Sequence, residues 1–190
     1  MDWWEAMNSS LESAEPASPD VTSRATYPVW GRETVRYADT DAHGHVNNVS
    51  YAAYFETGRT TLVRAADLPI GPHAPARPVL ARIEIDYRAE VHWPAELDIG
   101  IAVVKLGRSS MTLIQGLFIG DACVATAREV LVLVDTATGR STPLPEAMRA
   151  RLTALGRPED GTVGWASAHP DLAPAVEPSP IALKPIQGRV

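Results

Sequence analysis

The 190-residue chain has one cysteine, Cys123, only two phenylalanines, and no excess of basic charge, since 17 Lys and Arg stand against 23 Asp and Glu for a formal net charge of −6. A single cysteine closes no intrachain disulfide, so nothing asks for an oxidising compartment and the cytoplasm is the expected location. The acidic balance argues against a nucleic-acid partner, because phosphate binding rests mainly on Lys and Arg. No run of about 18 apolar residues occurs, which argues against a membrane-spanning helix. Also missing are the G-x-S-x-G turn of serine hydrolases and the Gly-rich phosphate and dinucleotide loops. What is present, 45% hydrophobic and 21% charged residues, suits one soluble domain.

The charge is unevenly placed. Residues 1–28 hold five acids (Asp2, Glu5, Glu12, Glu15, Asp20) against Arg24 alone, whereas the stretch between the two flanks carries 14 acids and 13 bases. The first flank, 1–28, is rich in Ser, Glu, Ala and Pro and lacks the basic start and apolar stretch of a secretory signal; it reads as disordered. The second, 157–190, holds Pro158, Pro170, Pro174, Pro178, Pro180 and Pro185 without helical or strand periodicity. Trp3, Trp4 and Trp165 are isolated aromatics in these flanks. The expected domain is therefore 29–156.

Within it, Trp30–Tyr37 reads as a short strand and Asp39–Val46 as a polar, Gly-containing turn. Residues Asn47–Ala66 read as a helix, with Tyr51, Phe55, Gly58 and Leu62 at three-to-four spacing. The Pro-rich stretch Asp67–Pro78 must end it. In 82–91 the apolar Ile83, Ile85, Tyr87, Ala89 and Val91 alternate with charged residues, predicting a half-buried antiparallel strand. Breaks at Trp93-Pro94, Gly107-Arg108 and Gly120-Asp121 separate three more strands, Glu96–Leu106, Ser109–Ile119 and Ala122–Val134. Pro143–Leu155 is a short closing helix with Met148, Leu152 and Leu155 on one stripe. The plan is α+β, an antiparallel sheet wrapped around one long central helix.

The chemistry concentrates in residues 35–59. Asp39, Asp41, His43 and His45 flank Gly44, and the pair Asn47-Asn48 opens the helix. A carboxylate thus stands beside a helix N-terminus whose free N–H groups can polarise a carbonyl and stabilise an oxyanion. The carboxylate attacks, or activates water. This points to acyl transfer without a metal or a serine nucleophile.

Tyr37, Asp39, Thr40, Asp41, Gly44, His45, Val46, Asn47, Asn48, Tyr51, Tyr54, Phe55, Glu56 and Arg59 spell Y-x-D-T-D-x-x-G-H-V-N-N-x-x-Y-x-x-Y-F-E-x-x-R. This pattern resembles the acyl-CoA thioesterases of the 4-hydroxybenzoyl-CoA thioesterase-like hotdog group, and the likeness extends more loosely to about residue 155. The resemblance implies that Asp41 is the catalytic nucleophile or general base and that the Asn48 N–H binds the thioester carbonyl. Plant acyl-carrier thioesterases with a related turn use an Asn and a His as catalytic partners; here His43 takes the Asn position and His45 is kept. His45 is accordingly a further catalytic candidate, and His43, Val46, Asn47 and Tyr51 are candidates to contact the substrate around the helix start. Another hotdog branch places its carboxylate on the central helix, which makes Glu56 a candidate, although Glu56 and Arg59 also have the spacing of an intrahelical ion pair.

Asp39 reads as structural, holding an N–H of the turn or pairing with Arg36. Gln115 and Thr126, polar within apolar strands, either face a substrate tunnel or are satisfied within the sheet. Cys123 reads as an inert core residue. No metal or cofactor is expected, because His43, His45, His73 and Asp41 lack the spacing of a supported ligand set. Among Arg82, Arg88, Lys105, Arg108, Arg128 and Arg140, the residues Lys105 and Arg108 beside a tight turn are expected to bind the phosphates of coenzyme A. The Asp67–Pro78 loop is expected to cover the acyl group. An uncovered sheet face and edge imply a homodimer or homotetramer with sites between subunits. Two other readings stand beside thioester hydrolysis: a hotdog enoyl-CoA hydratase, and a non-catalytic acyl-CoA-binding module.

Overall fold

Asn47 sets the start of the central element, its Oδ1 accepting the Val49 N–H at 3.0 Å to cap helix α1 (Asn48–Ala65). The computed structural model describes residues 19–68, 71 and 73–155. The predicted helix overshoots by one residue at each end, because Asn47 is the cap and Ala66 follows the last turn. Tyr51, Tyr54, Phe55, Gly58, Leu62 and Val63 form its buried face, and their three-to-four spacing is what places them on one side.

That face packs on a five-stranded sheet of β1 (Val29–Thr34), β2 (Ala76–Tyr87), β3 (Glu96–Leu106), β4 (Ser110–Ile119) and β5 (Ala122–Asp135). The spatial order is β1-β3-β4-β5-β2, every neighbouring pair antiparallel. Ile99, Ile101, Leu113, Leu117 and Leu133 are fully buried on the helix side with Phe55. A second helix, α2 (Glu146–Ala154), closes the core with Met148 and Leu152, on the expected stripe. The α+β plan of a sheet around one helix is the observed architecture.

The strand departures have physical reasons. β2 begins at Ala76, inside the stretch read as loop, and accommodates Pro78 because β2 is an edge, where a missing N–H costs no ladder bond. It ends at Tyr87 instead of running to Val91, and of its hydrophobic residues Ala76, Ile83 and Ile85 pack on the core, each half-buried.

On the other face of the sheet, Tyr27 lies in a slot made by two glycines. A Cβ at Gly100 would meet the Tyr27 ring at 2.5 Å, and one at Gly116 would meet its hydroxyl at 2.9 Å. Phe118 and Trp30 pack around it, and Arg24 lies 4.2 Å above the Trp30 ring. Residues 19–28, assigned from composition to the first flank, thus contribute a buried tyrosine to a second cluster. Residues 1–18 and 156–190, with Trp3, Trp4 and Trp165, lie outside the described residues.

Gly58 is a second close approach. A Cβ there would fall 1.8 Å from Gln115 Oε1 and 2.9 Å from Ile99 Cγ2. Gly58→Ala is expected to destabilise by about 2 kcal/mol, overpacking outweighing the roughly 1 kcal/mol gained in helix propensity. A lower urea midpoint with unchanged slope is the readout.

Candidate active site

The turn between β1 and α1 is fastened at both ends. Thr40 and Val46 form an isolated antiparallel bridge. Inside it the Asp41 N–H donates to His45 O at 3.0 Å and the Gly44 N–H to Asp41 O at 3.1 Å. Gly44 has φ +85°, a conformation that glycine adopts without strain. The segment after β2 clasps the turn from outside: the Val46 N–H donates to Val91 O at 2.7 Å, and His92 Nδ1 lies 2.9 Å from Gly44 O.

Within this frame Asp41 is partly exposed, and among the described residues only one of its oxygens is bonded. Oδ1 accepts the His43 N–H at 2.8 Å. Oδ2 stands 3.8 Å from His45 Nδ1, beyond hydrogen-bond length. His45 Nδ1 is instead 3.3 Å from Val46 O, and its ring stacks on that of His43 at 5.8 Å. Seven residues on, the N–H of Asn48 opens α1 with no acceptor among the described residues. A carboxylate oxygen and an unbonded helix N-terminal donor therefore share one end of α1, where the helix dipole favours negative charge.

These groups line a cleft of about 470 Å³ bounded by Asp41, His45, Val46, Asn48, Tyr51, Tyr87, Arg88, Ala89 and Glu90. Tyr51, buried, meets Tyr87 edge-on at 5.1 Å, and the Tyr87 hydroxyl donates to Asn48 O at 3.0 Å. Burial and the neighbouring Tyr87 push the Tyr51 hydroxyl up, so it stays protonated. Residues 87–90 were not foreseen as site residues, apart from Arg88 among the basic candidates. They arrive because β2 ends beside the helix start, a long-range placement that no local motif carries.

Asp39 is 5% exposed and pairs with Arg36, as one of its two expected roles had it, and the backbone N–H its carboxylate holds is that of Arg36, ahead of the turn. Its carboxylate accepts the Arg36 N–H at 2.9 Å and the Arg36 guanidinium at 2.8 Å, and in addition the Tyr54 hydroxyl at 2.9 Å. Burial alone would raise this carboxyl, but the Arg36 and Tyr54 hydrogen bonds outweigh it and hold it below the usual carboxylate range. Burial, reinforced by Asp39, pushes the Tyr54 hydroxyl up, which keeps it a donor. A depressed folded pKa adds stability that is complete above the unfolded carboxylate value and lost as pH falls through the folded one. Between pH 6 and pH 3 the wild type is therefore expected to lose more stability than Asp39→Asn, read from melting temperatures across that range.

The remaining sequence candidates fall elsewhere. Asn47 spends its side chain on the helix cap, and His43 is exposed, its N–H serving Asp41. Glu56 is exposed on α1 and outside the cleft. The intrahelical Glu56–Arg59 pair does not form: Arg59 Nη1 bonds Glu129 Oε1 on β5 at 2.6 Å, because Glu129 is fully buried and needs a counterion. Gln115 lies in the same buried network, its Nε2 donating to Glu129 Oε2 at 2.8 Å and Phe55 O at 3.1 Å. Thr126 accepts from Arg88 Nε at 3.1 Å. Neither lines the cleft. Cys123 is half-buried, and burial raises its thiol.

Lys105 and Arg108 are not brought to Asp41 within one chain. Tyr87 pairs with Ala125 on β5, whereas Lys105 shares a row with Thr112 and Val130; five residues of strand separate the rows by about 17 Å. The described residues of the Asp67–Pro78 loop likewise lie away from the helix start of their own chain. The loop follows an 18-residue helix that carries the chain away by about 27 Å. There Arg151 bonds Asp67 and Thr136 bonds Ala74. Among the described residues no three His, Cys, Asp or Glu side chains gather as for a metal ion, and no helix is long and apolar enough to cross a membrane.

The chain is similar in sequence and in fold to known proteins. Residues 35–152 match the family model of the thioesterase-like superfamily. The PA5185 protein of Pseudomonas aeruginosa PAO1 is similar in structure, with TM-score 0.66, 30% identity, and coverage of 71% of this chain and 96% of that one. A thioesterase of Thermus thermophilus, solved in complex with coenzyme A and Zn, is 36% identical with TM-score 0.61, over 70% of this chain and 98% of its own. The uncharacterized protein YsmA of Bacillus subtilis strain 168 is 28% identical over 120 residues, 62% of this chain and 80% of that protein. The matched segment runs from the strand that leads into the Asp41 turn to the closing helix, well over half of the chain, and on that extent the protein belongs to the thioesterase-like superfamily, with its hotdog fold.

Proposed function

We propose that the protein is an acyl-CoA thioesterase, R–CO–S–CoA + H2O → R–COOH + HS–CoA. The observation that carries this reading is the pairing, in one cleft, of a carboxylate oxygen, Asp41 Oδ2, with a helix N-terminal donor, Asn48 N–H, neither of which has a hydrogen-bond partner among the described residues. The Asn48 N–H polarises the thioester carbonyl and holds the oxyanion as it forms. Asp41 takes a proton from water as it adds, or adds to the carbonyl carbon itself; the C–S bond then breaks and the CoA thiolate leaves and takes up a proton, and in the second case water cleaves the acyl–Asp41 anhydride, releasing the acid and restoring the carboxylate. The cation that the cleft supplies toward an anionic substrate is Arg88. Membership of the superfamily and the coenzyme A bound to the Thermus relative support the substrate class.

A homodimer belongs to the same reading. β2 ends the sheet, and its Val79, Leu80 and Tyr87 are exposed hydrophobics, an edge that a second sheet would cover.

The rival readings separate in one assay. The protein is incubated with a panel of acyl-CoAs and an enoyl-CoA while free thiol and the enoyl chromophore are followed. Thiol release is expected; loss of the chromophore without thiol would establish a hydratase, and binding without turnover a non-catalytic acyl-CoA-binding module.

The donor can be deleted without breaking the helix. Proline suits the first helical position, which Asn48 occupies, and Asn47, at φ −61° and ψ 136°, already has the conformation a following proline requires. Asn48→Pro removes the N–H and is expected to lower kcat by about 10²–10³-fold. Asn48→Ala keeps the N–H and is expected to lose far less.

A further inference from the structure

Asp39 bonds the residue that leads into the turn and the residues at the start of α1, on either side of the candidate site. Besides its carboxylate contacts, its carbonyl accepts the Asn47 N–H at 2.8 Å and the Ser50 hydroxyl at 3.2 Å. One buried residue thereby holds the approach to the turn through Arg36, the cap of α1 through Asn47, and the body of α1 through Ser50 and Tyr54. Asp41 is two residues downstream, and the Asn48 N–H is one residue past Asn47.

Filling space does not require this chemistry. Tyr54 is 1% exposed and Asp39 5%, and an apolar pair of similar volume would occupy the site without desolvating a carboxylate. Nor does Arg36 need a buried counterion, its side chain being 69% exposed. What an ionised acceptor adds is direction, since it fixes the angle at which the turn meets the helix. The distance between the attacking oxygen and the oxyanion donor depends on that angle, and an error of about 1 Å there costs on the order of 10²-fold in rate.

We propose that Asp39 and Tyr54 are positioning residues, a buried clamp that holds the Asp41 turn in register with the start of α1. The kinetic consequence rests on the hydrolase reading; the structural one does not.

Tyr54→Phe keeps the ring and deletes the bond to Asp39. Amide hydrogen exchange of the full chain is measured at Val46 and Asn47, whose bonds to Val91 and Asp39 close the turn, and in β3 and β4, which report global opening. Exchange at the turn is expected to rise about tenfold more than in the strands, the size of effect one lost buried hydrogen bond has. In thioester turnover, kcat is expected to fall about tenfold with KM within about twofold, because the bond affects alignment and not substrate binding. Asp39→Asn, which keeps an acceptor but not the charge, is expected to show the same pattern.

Equal rises at turn and strands would overturn the clamp, since both residues would then serve only global stability. A loosened turn with unaltered kcat would overturn the positioning role. A wild type that releases no thiol from any thioester would refute the hydrolase reading instead, and the exchange comparison, which uses no substrate, still decides the clamp.

Discussion

Arg59→Met lowers the stability of the fold by about 3–5 kcal/mol at neutral pH, on the expectation that breaking a buried ion pair strands the remaining charge. Glu129 is 0% exposed, and its carboxylate has two partners, Arg59 at 2.6 Å and Gln115 at 2.8 Å. Burial already pushes this carboxyl above its ordinary range, with Arg59 and Gln115 opposing. Without the guanidinium the shift must grow, and its sign sets the pH dependence. A carboxyl raised on folding binds its proton more tightly in the native state, so unfolding releases protons and stability falls as pH rises. The loss in Arg59→Met is therefore expected to be larger at pH 8 than at pH 5, which urea titrations at both values measure. Arg59→Met with Glu129→Met removes both charges and is expected to recover most of the stability, as apolar replacements of buried pairs commonly do. A single variant as stable as the wild type at pH 8 would mean that Glu129 is not held ionised by Arg59.

Asp41→Asn lowers kcat by about 10²–10⁴-fold, the usual contribution of a positioned base. The substitution preserves an oxygen to accept the His43 N–H, so the turn is retained while the attacking or proton-accepting oxygen is lost. Melting temperature should change little, because Asp41 is partly exposed and its side chain makes one hydrogen bond. Glu56→Gln is the informative comparison. Glu56 lies eight residues into α1, about 12 Å from the helix start. A loss there exceeding that at Asp41 would move the carboxylate role to the helix.

How much of this was legible in the sequence depends on whether a feature is local. The three-to-four spacing of Tyr51, Phe55, Gly58 and Leu62 marks a helix face, and the glycine breaks mark strand ends, so the element order and the α+β plan follow from neighbours in the chain. The turn that holds Asp41 and the start of α1 is likewise one contiguous stretch. Long-range partners are different. Arg59 has Glu56 at ideal helical spacing, yet a buried carboxylate 70 residues away pairs with it, because desolvation makes Glu129 the more demanding partner. Lys105 and Arg108 satisfy the requirement for basic residues beside a tight turn, but the strand register sets that turn at the far end of the sheet. Arg88, Tyr87 and Glu90 reach the cleft only because β2 crosses back to the helix start. The alternation over 82–91 signals a strand but not that it lies at the edge of the sheet.

Hydrolysis in heavy-oxygen water tests the central claim most directly. The wild-type protein is incubated with acyl-CoAs in labelled water, and the acid and free thiol are quantified together. Attack at the thioester carbonyl predicts equal amounts of acid and CoA thiol, the acid carrying oxygen from solvent. Labelled CoA ester with its thioester intact, or no product from any acyl-CoA, would contradict it.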